Sequence, residues 1–140
     1  MPAFDQCHEQ VVHALQKEGW RLEQSSVSLF FDDRYAYVDM RVSRGSNGNH
    51  EQILLLEVKC FPDKDSTTRD LYTAIGQYLV YRAMIQELRK PYGIYLSIPH
   101  LIFDEIFDVS VMRVIQETRI NIVVINLESE TIVKWITSSI

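Results

Sequence analysis

The stretch ILLLEVKCF, residues 53–61, is the starting point for predicting the fold. Its four consecutive aliphatic residues, 53–56, are typical of a strand buried inside a sheet. Side chains two positions apart on a strand share a face, so Glu57 and Lys59 project together and Val58 projects to the opposite side. Burying a charge without a partner costs several kcal/mol. The strand therefore either ends where water reaches it or carries both charges into a site built to hold them.

Two interpretations of the Glu57–Lys59 pair stay open at this point. The first is an ion pair across one face of a half-exposed strand, and the second is a functional site. A Glu-x-Lys tripeptide is common by chance, so the tripeptide alone favours the ion pair. Further residues are needed to support a site.

The hydrophobic periodicity predicts an α/β (α+β) protein with the element order α-β-β-β-α-β-α-β-β. Residues 43–50, SRGSNGNH, are the clearest turn, because glycine and asparagine adopt positive φ easily. We expect three antiparallel strands with the apolar third strand in the centre, then a helical, right-handed crossover to a parallel strand, giving a mixed sheet with helices on both faces. The predicted helices are 4–18, 67–88 and one within 100–119, and the predicted strands are 27–31, 35–42, 52–61, 94–99, 120–127 and 131–137.

Length and composition favour one compact domain, residues 1–140. The chain has 140 residues, of which 46% are hydrophobic and 11% aromatic, enough for a hydrophobic core and unlike a disordered protein. No apolar run is long enough to cross a bilayer, and the N-terminus lacks the pattern of a secretion signal. We therefore expect a cytoplasmic protein that does not associate with a membrane.

Cysteine content and charge narrow the class of protein further. Cys7 and Cys60 make neither a disulfide framework nor a spaced zinc site, so we expect them to be reduced. The net charge of −5 speaks against a protein that coats nucleic acid broadly. A local surface that meets phosphate remains compatible with this charge.

Asp39 is the residue that makes a site plausible. It lies on the predicted second strand, eighteen positions before Glu57, and the turn at 43–50 brings the two strands side by side. A register with a bulge or stagger would place both carboxylates together, where they repel unless a positive charge lies between them. A divalent cation held by carboxylates, waters and a backbone carbonyl supplies that charge. Lys59 could then orient or deprotonate a water, or offset charge on a phosphate.

The helix that follows offers two further polar residues. Gln77 and Tyr81 are four positions apart and share one face, which we expect to point over the sheet. A buried glutamine amide needs hydrogen-bond partners. Gln77 is therefore either a site residue or a core-edge side chain bonded to the backbone, with Tyr81 packing beside it.

These motifs carry a family resemblance. Asp39 in VD (38–39), a hairpin, EVK (57–59) and GQYLVY (76–81) resemble the PD-(D/E)xK nuclease superfamily, which has the restriction-endonuclease-like fold. The whole chain is similar to the XisH, or fdxN element excision controlling factor, family. The stretches that carry this likeness are MPAFDQCHEQVVHALQKEGW, EVKCF, TAIGQYLVYR and IVVINLESETIVKWI.

The resemblance implies roles for particular residues. Asp39 and Glu57 would bind Mg2+ or Mn2+, Val58 would lend its carbonyl, and Lys59 would be the catalytic lysine. The auxiliary residues would be Gln77 and Tyr81, with His8 or Glu9 in place of an acid on the first helix. His8 and Glu9 point about 100° apart, so at most one faces the site, and counting back from Gly19 favours His8.

The implied function is a metal-dependent DNA endonuclease or resolvase-like protein that acts in excision of a DNA element. The alternative is a catalytically silent accessory factor of the same fold, which binds DNA or a partner protein and regulates recombination. A third interpretation, a small α/β protein with purely structural ion pairs, also stays open. The expected partners are DNA, a companion protein of the XisI family and a second copy of the chain.

Overall fold

The fold is seen in a computed structural model that describes residues 7–45 and 51–138. Six strands and four helices are present in these ranges, and no helix among them is long and apolar enough to cross a membrane. The helices are α1 (His8–Lys17), α2 (Thr67–Glu87), α3 (His100–Ile106) and α4 (Val109–Thr118). The strands are β1 (Arg21–Phe31), β2 (Arg34–Arg44), β3 (Gln52–Val58), β4 (Gly93–Pro99), β5 (Ile122–Asn126) and β6 (Thr131–Ile136).

The strands form one sheet in the order β1-β2-β3-β4-β5-β6. β1, β2 and β3 are antiparallel neighbours, β3, β4 and β5 are parallel neighbours, and β6 returns antiparallel to β5. The predicted mixed sheet is therefore confirmed. The aliphatic run of β3 lies at the centre, where both faces of a strand are covered.

Helices cover both faces of the sheet, as predicted. On one face α2, α3 and α4 pack over a core that includes Leu55 and Leu96. On the other face α1 packs over a core that includes Met40 and Leu56. Adjacent residues of β3 thus enter opposite cores, and this alternation leaves Glu57 on the same side of β3 as Leu55.

Several boundaries differ from the prediction. The first strand is longer at its start, since β1 begins at Arg21 and not at residue 27. The segment 100–119 contains two helices where one was expected, because Asp108 caps a new helix: its carboxylate accepts a hydrogen bond from the Val111 N–H at 2.9 Å. The third strand ends at Val58 rather than at residue 61. Within the predicted turn 43–50, residues 46–50 lie outside the described part of the chain, as do residues 4–6 of the first predicted helix.

The expectation of reduced cysteines is wrong in this structure, which joins Cys7 and Cys60 in a disulfide with their Cα atoms 5.9 Å apart. Cys7 immediately precedes α1, and Cys60 lies two residues beyond β3. Both side chains belong to the core between α1 and the sheet. The pairing was missed because the two residues are 53 positions apart in sequence and meet only after α1 docks on the sheet.

Candidate active site

The site begins where β2 and β3 separate. Their last pair is Met40 with Leu56, so one further step in the same register sets Asp39 opposite Glu57. Beyond the Met40–Leu56 pair, the backbone hydrogen bonds between β2 and β3 end. Instead, the Asp39 side chain accepts a hydrogen bond at Oδ2 from the Val58 N–H at 2.7 Å. This bond holds the Asp39 carboxylate in the gap where β2 and β3 diverge. We call this gap the fork, and Asp39, Glu57, Val58 and Lys59 border it. The hairpin therefore brings both acids to the same end of the sheet.

Glu57 is buried at 5% exposure, and its surroundings disfavour its charge. Burial and then the nearby Asp39 carboxylate raise the pKa of Glu57 to about 7, although Lys59 opposes both effects. Lys59 Nζ lies 3.3 Å from Glu57 Oε2. The other oxygen, Oε1, is buried without a hydrogen-bond partner among the described residues. The Lys59 ion pair therefore offsets the effects of burial and of Asp39 on Glu57 only in part.

Lys59 stands at the margin of the site, just past the end of β3. Its backbone N–H donates to the Ser97 carbonyl at 3.1 Å, which continues the ladder with β4. Its side chain is 20% exposed and lines a cavity of about 230 Å³ with Asp70 and Thr73 of α2. The ammonium group thus combines a buried carboxylate partner with access from outside.

Tyr81 of α2 lies close enough to these acids to interact with their charges, and Gln77 lies one turn earlier on the same helix. Burial, with smaller contributions from the charges of Glu57 and Asp39, raises the pKa of Tyr81 to about 12. Gln77 Oε1 is buried and has no hydrogen-bond partner within the described ranges.

The structure separates His8 from Glu9. His8 is buried, and its Nε2 lies 3.5 Å from Asp39 Oδ1, whereas Glu9 is exposed. The first residue of α1 is therefore the one that faces the fork. The disulfide between Cys7 and Cys60 joins the chain positions next to His8 and Lys59, so it ties the two borders of the site together.

The donor chemistry of the fork suits a hard cation. Such ions take carboxylate and carbonyl oxygens together with water, and the buried Glu57 Oε1 without a partner is a donor of this kind. In the described ranges no group of three or more His, Cys, Asp or Glu side chains is arranged to hold a metal ion. A cation at this fork would therefore depend on Asp39, Glu57, the Val58 carbonyl and water.

A groove of about 390 Å³ between β2 and α2 was not predicted from the sequence. Arg34, Tyr35 and Tyr37 line it from β2, and Gly76, Gln77, Val80 and Tyr81 line it from α2. Tyr35 and Tyr37 are 64% and 60% exposed. The signal in the sequence was the pair of aromatic residues at alternate positions of YAY, 35–37, on a strand whose intervening residues are buried.

Known proteins share this architecture. An XisH family protein from Nostoc punctiforme matches with a TM-score of 0.85 and 23% identity, covering 95% of this chain and 100% of that one. An fdxN element excision controlling factor protein from Anabaena variabilis matches with a TM-score of 0.82 and 24% identity, covering 93% and 97% of the two chains. At these identities the likeness shows the fold. Among curated proteins none matches the chain.

The family comparison extends over nearly the whole sequence. The XisH protein family matches residues 1–133, a range that includes every residue of the fork and the groove. The chain therefore belongs to the XisH protein family.

Proposed function

We propose that this protein is a divalent-metal-dependent DNA endonuclease or resolvase-like protein that acts in excision of a DNA element. The observation that carries the proposal is the fork. There Asp39 and the buried Glu57 meet beside Lys59, and one oxygen of Glu57 has no hydrogen-bond partner among the described residues. This residue set is similar to that of PD-(D/E)xK nucleases. Support for the excision role comes from the Anabaena variabilis relative, which is named an fdxN element excision controlling factor.

The cation, Mg2+ or Mn2+, would be held by Asp39, Glu57 and the Val58 carbonyl. When bound, such an ion offsets charge on a phosphate and lowers the pKa of a water. The Val58 carbonyl belongs to the same peptide unit as the Lys59 N–H. That N–H donates to the Ser97 carbonyl at 3.1 Å, so the unit is held by β4.

The remaining side chains have separate roles in the proposal. Lys59, charged and reachable from outside, would neutralise a phosphate oxygen or orient the attacking water. His8, 3.5 Å from Asp39 Oδ1, would position that carboxylate from the α1 side. Gln77 and Tyr81 would contact the substrate from α2.

A second candidate is a catalytically silent accessory factor of the same fold. It is favoured by the net charge of −5, which gives the chain little general attraction for DNA. In this role the protein would bind DNA, an XisI-family companion or a second copy of itself, and would regulate recombination.

Metal binding is the first experimental test. Calorimetric titration with Mn2+ should give a binding isotherm for the wild type that Asp39→Ala abolishes. Asp104→Ala, which removes an exposed carboxylate from α3, is the matched control and should bind as the wild type does. Equal binding by the Asp39 variant would exclude the fork as the metal site.

Cleavage is the second test. With Mg2+ or Mn2+, the wild type should nick duplex or branched DNA, and Lys59→Ala should slow nicking by about 100-fold or more because it removes a charge that acts in the transition state. Lys64→Ala, at an exposed lysine nearby, should leave the rate unchanged. A wild type that shifts DNA in a gel but never cuts it would favour the accessory factor.

A further inference from the structure

Gly76 occupies a position that the fold itself does not explain. It lies within α2, is exposed, and lines the groove between β2 and α2. A Cβ placed on it would meet no atom within 4 Å. Glycine in a helix is less stable than alanine because it loses more backbone freedom on folding. No contact in the described fold compensates for this, so packing does not explain the glycine.

Aromatic rings form the opposite wall of the groove. Tyr35 and Tyr37, both mostly exposed, occupy alternate positions of β2, about 6.7 Å apart along the strand. Asp39 follows at the next alternate position. A chain laid along these rings would therefore run towards the fork. Flat neutral rings at such intervals suit nucleobases, since every base offers a face for stacking.

Polar groups complete the groove and identify its occupant. Arg34 lines one end and is exposed, which provides a cation for a phosphate. Towards the fork, the buried Gln77 Oε1 has no hydrogen-bond partner among the described residues, and an amide oxygen accepts from the amino groups of bases. An arginine, two exposed rings and an unsatisfied amide match a single DNA strand, whose bases are free to leave the stack.

We propose that the groove between β2 and α2 holds unpaired nucleotides, so that the substrate class is DNA with unpaired bases next to the cut. This inference rests on the proposed function of the fork. It adds the requirement that the bases next to the cut be unpaired, which the fork alone does not impose. A fully paired duplex keeps its base faces stacked and cannot use Tyr35 and Tyr37 in this way.

The test separates binding from cleavage by measuring fluorescence anisotropy in EDTA. One labelled oligonucleotide is offered as a single strand, as a blunt duplex and as a duplex with an internal unpaired gap. The wild type should bind the forms with unpaired bases about 10-fold or more tightly than the duplex. Gly76→Ala should lose most of this preference while its melting temperature rises. Gln86→Ala, at an exposed position farther along α2, should bind as the wild type does.

Equal affinity for duplex and single strand, no binding of any form, or wild-type affinity in Gly76→Ala would each overturn the inference. A double Tyr35→Ala, Tyr37→Ala variant tests the rings separately. If that variant turned a dimer into a monomer in light scattering, the groove would be a protein interface and the proposal would fail. Nicking assays distinguish failure of this inference from failure of the proposed function. A protein that prefers unpaired bases but never cuts keeps the groove as a site for unpaired nucleotides and refutes the endonuclease, whereas one that cuts without that preference refutes the inference.

Discussion

Glu57→Gln should make the metal-free protein more stable at pH 8 and leave its stability almost unchanged at pH 4. The structural reason is that Glu57 is buried beside Asp39, so its ionised form is disfavoured in the folded state. Glutamine keeps the size of the side chain and removes the charge. The Lys59 ion pair lowers the penalty but does not abolish it, because the pKa stays raised in its presence.

The magnitude follows from proton linkage. The pKa of Glu57 rises from 4.5 to about 7, so between these pH values the folded state keeps a proton that the unfolded chain has released. Stability is therefore lost as the pH rises through this window. At about 1.4 kcal/mol for each tenfold change in ionisation, the full penalty is about 3 kcal/mol, of which about 2.5 kcal/mol appears between pH 5 and 8.

Urea unfolding in EDTA at pH 5 and pH 8 measures this effect. The wild type should lose stability relative to Glu57→Gln over that range, since the difference between the two proteins isolates the titration of one group. Glu105→Gln changes an exposed carboxylate of α3 and should follow the wild type at both pH values.

The opposite result would refute the argument. If Glu57→Gln were clearly less stable than the wild type at pH 8, the Glu57–Lys59 pair would be a structural brace whose loss leaves an uncompensated charge. The fork would then be explained by folding alone.

Three further predictions concern the scaffold. Reducing the disulfide between Cys7 and Cys60, 53 positions apart, should lower the free energy of unfolding by about 4 kcal/mol on the chain-entropy account. The Cys7→Ser variant should lose no further stability when reductant is added. A wild type whose free energy of unfolding does not change with reductant would contradict the crosslink. Tyr78→Phe should cost about 1–2 kcal/mol in urea unfolding, because its hydroxyl bridges the Ile94 carbonyl and the Asn121 N–H; an unchanged midpoint would argue against that bridge. Leu96→Ala, at a fully buried position of β4, should cost about 2–5 kcal/mol, and a smaller loss would mean that the core collapses around the cavity.

The sheet was predictable because its signals are local. The aliphatic run before Glu57, the break after it and the length of α2 together indicate a central strand followed by a crossover helix. The short gap between the predicted strands 27–31 and 35–42 was equally visible. Asp32 and Asp33 in this gap adopt the left-handed backbone of a tight hairpin, with φ values of 52° and 61°. Such features depend on neighbours within a few residues.

The site was only partly predictable because it depends on register and on helix phase. Asp39 and Glu57 lie opposite each other only in the register that pairs Met40 with Leu56, and no local rule fixes that register. The choice between His8 and Glu9 depended on how α1 docks on the sheet. The disulfide and the groove were missed for a related reason, since each arises from segments far apart in the chain.

The bond between Cys7 and Cys60 closes α1, β1, β2 and β3 into one covalent ring. A protease that cut any single peptide bond inside this ring would release no fragment. On a non-reducing gel such a nicked chain would migrate as one species, and two pieces would separate only after a thiol was added. The oxidised protein can thus lose one backbone linkage there while His8 and Lys59 remain tethered to the same molecule.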